Sequence, residues 1–423
     1  MSHSSDSVHL PNNPLAKDEM DLCLGTSISR YAVQESTESR QGTPTEKSIP
    51  PSDIGVMPWI QIAGAFCLMF TSWGIVVSYG TFQQYYTSGG GIVDEASSST
   101  IAWIVSLQAF LLMFGAALTG TLYDAGYFRT MMYCGSFLMV FGLMMTSLAN
   151  KYWQFILAQS LCTGSGMGLV ALGALATPGT WGIIFPIALR HLIPMIGFGW
   201  AVRVMGFIVL FMLMLPLSIS KQRLPANKRR ILIDFKSLGQ IEFGLYCLSI
   251  FLAFLGFFTF YTFIESWAIA TQLNTDGVAP YYILTITNAS SSFGRILPNY
   301  TADKIGPLNI QVPATLIAGV LVFTWIPAQS MGSVMAIAIL YGFFSGSLVS
   351  VPPTAIASMT ANMNELGGRI GMCFLAMAFG SLIGSPVTGA IVQSVGYDNA
   401  RIYAGIMLLA GATTMAVLSI RIQ

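Results

Sequence analysis

One arginine in an apolar stretch is the residue of this sequence with the clearest chemical potential. Arg295 lies within TITNASSSFGRILPNYTADKIG (285–306), whose first half is a membrane-length run of small and apolar residues. A cation near the centre of a bilayer helix costs about 2.5–3.5 kcal/mol, so something must compensate for it. A guanidinium can hold a carboxylate through two hydrogen bonds. Two roles therefore stay open: Arg295 binds the carboxylate or enolate of an anionic ligand, or it bonds backbone carbonyls and stabilises its own helix.

Other polar residues in apolar surroundings form a second group of candidates. Glu265 is the only acid expected at membrane depth, which makes it a candidate for proton coupling. The alternative is an ordinary acid at the outer interface, beside Trp267 in the aromatic belt. Arg203 lies toward the outer end of its segment, and we expect a structural role for it. The candidates for further ligand contacts are Tyr79, Gln83, Asn288 and Tyr341.

Composition indicates the kind of protein that must position these groups. Apolar residues make up 54% of the chain, charged residues only 9%, and the mean hydropathy is +0.67. Soluble domains carry about 25% charged residues, so the lipid bilayer is the expected environment and nucleic acid is not an expected partner. No catalytic or metal-ligand cluster and no nucleotide-binding motif occurs. We therefore expect no enzyme activity, no cofactor and no metal.

The order of apolar blocks and cations predicts an all-α membrane protein. After a polar tail, about twelve blocks follow, most of them near the ~20 residues that cross a bilayer. The fifth block, 178–190, is too short. Lysine and arginine cluster in the central loop, which predicts that this loop and both termini are cytosolic. The predicted parts are a disordered tail (1–57), an N-terminal transmembrane half (58–219), a basic loop (220–240) and a C-terminal half (241–423).

Similar turns in the two halves predict a gate. GTLYDAGYFR follows the second block and contains Asp124 and Arg129, and NYTADKIG follows the eighth and contains Asp303 and Lys304. An aspartate there can accept hydrogen bonds from the N-terminal amides of a neighbouring helix. Such a contact would exist on one side of an opening motion only. Arg369, at the start of the eleventh block, is grouped with this gate.

The chain resembles the major facilitator superfamily, and within it the fungal branch of the monocarboxylate-porter-like family. The matching segments include FTSWGIVVSYGTFQ, SSFGRILPNYTADKIG, YGFFSGSLVSVPP and GRIGMCFLAMAFGSLIGSPVTGAI. The resemblance implies a major facilitator fold of about twelve transmembrane helices in two six-helix halves. Three departures are notable: Ser291 stands where animal members place an acid, helix one has no lysine, and the region of helices four and five is shortened.

The resemblance, together with Arg295, implies a secondary transporter of small organic anions. In the fungal branch this is an efflux carrier for a secondary metabolite in the plasma membrane. A second interpretation is a proton-coupled importer of a monocarboxylate or vitamin. A third, of another class, is a membrane sensor on a transporter scaffold that moves nothing. The expected partners are an organic anion, the bilayer and, in the coupled cases, protons.

Overall fold

The computed structural model describes residues 57–87, 98–124, 126–174, 184–219, 237–273, 280–360 and 365–422. Residues Trp59–Gln423 form one compact unit. Almost all of the preceding unit, Met1–Pro58, lies outside the described residues, and so do most of the predicted tail (1–57) and most of the basic loop (220–240).

The N-terminal half begins with α1. Residue 78 separates α1 from α2, and the longest helix of the half, α7, contains a kink. A π-helical segment, Ile156–Thr163, joins α5 to α6, so that these pieces form one broken rod. The helices are α1 (Met57–Val77), α2 (Tyr79–Thr87), α3 (Ser98–Asp124), α4 (Phe128–Thr146), α5 (Tyr152–Phe155), α6 (Gly164–Ala174) and α7 (Ile184–Ile219).

The C-terminal half follows the short 3-10 turn Ser237–Gly239. Its helices are longer and less interrupted, and a proline pair begins the one short helix, α12, as suits a helix N-terminus. The helices are α8 (Ile241–Ala270), α9 (Tyr281–Ile305), α10 (Pro307–Thr324), α11 (Met331–Ser350), α12 (Pro352–Ser358), α13 (Leu366–Val395) and α14 (Tyr397–Ile422).

Nine helices of the described residues are long and apolar enough to cross a membrane. The predicted fifth and sixth blocks are continuous in α7, which changes direction at Gly197 (φ 80°, ψ 161°). The fourth block is not among the nine because the π-helical segment divides it. The eighth, α9, carries Arg295, Asp303 and Lys304, which lower its hydropathy. The part of α7 that the structure describes before Gly197 is shorter than the ~20 residues that a crossing needs. Helices thus occur at all twelve predicted blocks, and residues 178–183 of the short fifth block lie outside the described residues.

We count α1 with α2, α5 with α6 and α11 with α12 as one helix each, and α7 as two helices on either side of Gly197. Each half then consists of two groups of three helices with the same internal connection. Four glycines among the described residues have positive φ, a conformation that costs a residue with a side chain about 1–2 kcal/mol. Each of them joins the second helix of a group to the third. They are Gly126 (φ 90°), Gly197 (φ 80°), Gly306 (φ 93°) and Gly396 (φ 93°). The similarity of the turns at Gly126 and Gly306 therefore extends to the backbone, and it recurs in the other two groups.

The two halves meet along three pairs of helices. The closest pair is α3 with α13, and α2 with α8 and α7 with α9 also touch. Buried side chains of both halves form one continuous hydrophobic cluster, in which Phe70 packs against Phe185 within the N-terminal half (ring centroids 4.9 Å apart) and Phe260 against Tyr341 within the C-terminal half (4.5 Å). Outside the three helix pairs, space remains between the halves.

Candidate functional site

A cavity of about 430 Å³ lies between the two halves. We call the end of the bundle where α2 and α8 terminate the distal end, and the end where α9 terminates the proximal end. The cavity is lined by residues of α1, α3 and α6 on one side and of α9, α11, α12 and α13 on the other. Its volume falls within the usual range for small-molecule sites, about 300–1,000 Å³. Most of its wall is apolar, and this wall includes Met69, Leu112, Met113, Ala116 and Phe374.

The polar side of the cavity comes from one face of α9. Arg295, Asn299 and Asp303 are spaced four residues apart, which places them above one another on a helix, and all three line the cavity. Arg295 is only 9% exposed, whereas Asp303 is exposed. The guanidinium therefore lies at the deep end of the cavity and the carboxylate toward the proximal end.

Arg295 contacts an aromatic ring of the other half. Its Cζ atom lies 5.1 Å from the centre of the Trp73 ring, which is within the range of a cation–π interaction. Among the described residues, no carboxylate forms an ion pair with Arg295, in keeping with a serine, Ser291, one turn earlier in the helix. An arginine that is buried, faces a cavity and has an aromatic ring as its neighbour can bind an anionic group of a ligand through two N–H groups of its guanidinium.

The distal end is closed by contacts between the halves. Glu265 on α8 is fully buried, and its Oε1 lies 3.5 Å from Arg190 Nη2 on α7. Thr81 on α2 donates its hydroxyl to Glu265 Oε2 at 3.5 Å. The Arg190 guanidinium also lies 5.7 Å from the centre of the Tyr281 ring, at the start of α9. Each of these contacts joins the N-terminal half to the C-terminal half.

Backbones of the two halves approach closely beside this ion pair. A Cβ atom at Gly80 would stand 2.7 Å from the carbonyl oxygen of Tyr261 and 2.9 Å from Leu284 Cδ2. One helical turn toward the cavity, Asn288 donates from its side-chain amide to the Val77 carbonyl at 3.5 Å. We call the contacts of Gly80, Thr81, Arg190, Glu265 and Asn288 across the halves the distal seal.

The four predicted ligand contacts other than Arg295 lie outside the cavity. Tyr79 donates its hydroxyl to the Ile101 carbonyl (2.6 Å), and Tyr341 donates to the Phe257 carbonyl (2.8 Å), so each tyrosine joins helices within one half. Gln83 is 1% exposed, and Asn288 belongs to the distal seal. In this conformation only Arg295 of the predicted ligand-binding set lines the cavity.

The predicted gating residues separate into different environments. Asp303 lines the cavity, and Lys304 is exposed with its Nζ 4.5 Å from the centre of the Tyr300 ring. Arg129 is exposed at the start of α4. Asp124 is the last residue of α3, and its side chain lies outside the described residues.

Arg369 differs from these in being buried within one half. It donates to Gln240 Oε1 at 2.9 Å and to the Met359 carbonyl at 3.3 Å, and it pairs with Glu365 at 3.2 Å. These partners precede α8, follow α12 and precede α13. Arg369 therefore joins three chain segments of the C-terminal half at the proximal end.

One sequence-based interpretation changes at the distal end. Trp267 was expected in an aromatic belt, but it is 3% exposed and packs against Trp325. Arg401 lies between the two tryptophan rings, 4.8 and 4.9 Å from their centres, and donates to the Trp325 carbonyl at 2.8 Å. The belt assignment is wrong, since Trp267 lies inside the protein in contact with Trp325 and the Arg401 guanidinium. Arg203, by contrast, donates to Ser147 Oγ at 3.1 Å and joins α7 to the end of α4.

Sequence reasoning missed two important neighbours of the site. Trp73 lies in the family segment FTSWGIVVSYGTFQ and Asn299 in the turn sequence NYTADKIG, and neither pattern marks them as cavity residues. The spacing of Asn299, four residues after Arg295 and four before Asp303, could have identified it, because such residues share a helix face. No local pattern could have paired Arg190 with Glu265, since the two residues lie on different halves.

Comparison with known proteins decides the family. The sequence pattern of the Major Facilitator Superfamily matches residues 246–422. The chain is also 38% identical over 380 residues to the MFS-type transporter dbaD of Emericella nidulans, which covers 85% of this chain and 84% of the relative. The chain belongs to the major facilitator superfamily.

A second relative and a solved structure extend this assignment. The aspyridones efflux protein apdF of Emericella nidulans is 32% identical to this major facilitator protein over 391 residues, covering 88% of this chain and 79% of the relative. The crystal structure of the nucleoside transporter NupG has the same fold, with a TM-score of 0.64 at 13% identity, covering 86% of this chain and 99% of that one. The protein is therefore a membrane-embedded transporter with the major facilitator fold. The narrower resemblance to the monocarboxylate-porter-like family stays a prediction.

Proposed function

We propose that this major facilitator protein exports a small organic anion, a fungal secondary metabolite, across the plasma membrane, with both chain termini in the cytosol. The observation that carries the proposal is Arg295, a buried guanidinium without an ion-pair partner among the described residues, at the deep end of a cavity between the halves. The printed names of the relatives, which include an efflux protein for aspyridones, favour export.

The proposed cycle alternates between two states. In the state described, the distal seal is closed and the cavity extends toward the proximal end, where Asp303 is exposed. The positive-inside rule assigns the proximal end to the cytosol. An exporter loads its substrate in this state. Release then requires the distal seal to break while the halves close at the proximal end.

Deletion of the gene, followed by complementation, tests the proposal. We expect an acidic metabolite to disappear from the medium and accumulate in the cells of the deletion strain. The intact protein should restore export. The export restored by Arg295→Gln should be at least about tenfold lower, because this variant leaves the anion without its buried charged partner. Arg295→Lys keeps the charge but loses the fork and should be intermediate. Arg421→Gln, at an exposed position near the chain end, is the matched control.

Other outcomes of the same experiment identify the alternatives. An importer would leave the acid in the medium of the deletion strain and deplete it from the cells. A sensor would bind an acid in an Arg295-dependent manner without moving it into vesicles. Full export by Arg295→Gln would contradict the proposed role of the guanidinium.

We also propose that Glu265 couples transport to protons. It is fully buried between the halves, and its ion pair with Arg190 holds the distal seal. Ionisable residues at membrane depth that pair across a moving contact are frequent proton carriers. Protonation would remove the charge that attracts Arg190 and would favour opening of the distal end. Transport by Glu265→Gln that keeps the pH dependence of the intact protein would contradict this role.

A further inference from the structure

The polar face of α9 has an order that restricts what the cavity can hold. It begins with a charged donor at the deep end, Arg295, continues with the amide of Asn299 and ends with the carboxylate of Asp303 at the proximal end. At a rise of about 1.5 Å per residue, the second and third groups lie roughly 6 Å and 12 Å along the helix from the first. We call these three residues the α9 polar stripe.

The middle of the stripe offers an acceptor. The Asn299 side-chain nitrogen donates to the Arg295 carbonyl at 2.8 Å, which fixes the orientation of the amide. The amide oxygen is left without access to solvent and without a hydrogen-bond partner among the described residues. An unpaired buried acceptor costs about 1–3 kcal/mol, a cost that a ligand donor would remove. A hydroxyl or N–H group of a ligand would satisfy this oxygen once the amide turned toward the cavity.

The proximal end of the stripe also accepts. Asp303 makes no ion pair with any described residue and faces the cavity opening. A carboxylate in this place repels a second acid group and attracts a donor. The opposite wall, with Met69, Leu112 and Met113, has no charged side chain and suits an apolar body. The two ends of the cavity thus select opposite chemistry.

We infer that the cavity selects an elongated, largely apolar acid with hydrogen-bond donors along one edge. Its acid group binds Arg295, and a hydroxyl or N–H group near the far end of the molecule binds Asp303. A second donor midway binds Asn299. The inference rests on the proposed function, which gives Arg295 the acid, and it adds the class of substrate. Asp303 would then contact the substrate in addition to its predicted role in gating.

A pair of probes isolates the far end of the ligand. The probes are a biphenyl carboxylic acid and the same acid with a hydroxyl group at the far end of the second ring. Their uptake is measured in vesicles containing the full-length protein, with the proximal face outward. We expect the hydroxylated acid to have an apparent affinity about tenfold higher, since a hydrogen bond to a charged group is worth about one order of magnitude.

Three variants assign the preference to the stripe. Asp303→Ala should reduce the ratio of the two affinities to about one, because only the hydroxylated acid loses a hydrogen bond. Asp303→Asn, which keeps an acceptor without charge, should give an intermediate ratio. Thr301→Ala is the matched control, because Thr301 lies on the same helix, is exposed and donates to the Leu297 carbonyl.

The outcomes separate this inference from the proposed function. If Asp303 acted in gating alone, Asp303→Ala would slow both acids by the same factor and the ratio would persist, which overturns the inference. Equal affinities in the intact protein, with both lost in Arg295→Gln, would overturn the stripe but keep the anion site. The same measurement on the intact protein decides the matter even if the Asp303 variants do not fold. Absence of any binding that depends on Arg295 would overturn the proposed function itself.

Discussion

The distal and proximal ends of the molecule are built differently. At the distal end, an ion pair between Arg190 and Glu265 and a backbone approach at Gly80 join the halves. At the proximal end, Asp303 lines an open cavity, and the described partners of Arg369 all belong to its own half. The polar contacts of the distal seal therefore cross the interface, although Arg401 at the same end bonds within its own half. At the proximal end, Arg369 bonds within one half and Asp303 faces the cavity.

This difference shows where the stability of the described state resides. Contacts between the halves are the ones that an opening motion must break, while contacts within a half travel with it. Substitutions in the distal seal should change the balance between the two states. Substitutions of Arg369 or Arg401 should act on the stability of one half. The predictions below test this distinction, beginning with the largest expected effect.

A methyl group at Gly80 should disturb the distal seal most. Its Cβ would meet a backbone oxygen at 2.7 Å, which cannot rotate away. Overpacking of this kind costs about 1–3 kcal/mol, so the ratio of distal-open to distal-closed molecules should rise roughly 5- to 150-fold. The measurement is labelling of a cysteine introduced at position 83 by a membrane-impermeant maleimide added on the distal side.

The matched control for this substitution is Gly332→Ala, since a Cβ there would contact nothing within 4 Å. Labelling that stays at the level of the control would show that the backbones of α2 and α8 do not have to separate for opening. The comparison of the two ends would then rest on the side-chain contacts alone.

Neutralising Glu265 should have a smaller effect in the same direction. Glu265→Gln removes the ion pair, but Arg190 is 31% exposed and can be solvated, so the expected increase in distal opening is about tenfold or less. An acidic solution on the distal side should increase labelling of the intact protein, because protonation also removes the charge of Glu265. The variant should not respond to pH.

The double variant Arg190→Gln with Glu265→Gln checks the assignment. If the two residues act as a pair, the double variant should open no more than Glu265→Gln alone. Additive effects of the two substitutions would indicate that each side chain stabilises the closed state through other contacts.

Thr81→Val should have the smallest effect. The Thr81 hydroxyl lies 3.5 Å from Glu265 Oε2, at the limit of a hydrogen bond. We expect labelling to change by less than about twofold, with transport close to that of the intact protein. A change as large as that of Glu265→Gln would place Thr81, rather than Arg190, as the partner that holds the carboxylate.

The scarcity of charge made much of this fold predictable. In a chain with 9% charged residues, Arg295 and Glu265 were conspicuous, and the structure places both in buried positions between the halves. The matching turns at Gly126 and Gly306 correctly indicated a repeat. Apolar blocks located most helices because a bilayer demands length and hydropathy. The predicted break between the fifth and sixth blocks, at residues 191–195, lies just before the kink of α7 at Gly197.

Helix orientation explains what could not be predicted. Tyr79 and Tyr341 are polar side chains on apolar helices, a pattern shared by residues that line a cavity and residues that bond a neighbouring backbone. Sequence does not distinguish these cases when nearly every face of the helix is apolar, since the usual amphipathic periodicity is missing. The environment of Trp267 depended on Arg401, which is distant in the chain and carries no local signal.

The single-residue connections at Gly306 and Gly396 have a consequence for experiments on this protein. With so little backbone between them, α9 and α10 form a stiff hairpin, and so do α13 and α14. A spectroscopic probe attached near either bend will report the tilt of a whole helix pair rather than the local motion of a flexible linker. The distance between the two bends should therefore stay constant while the cavity closes at the proximal end and opens at the distal end.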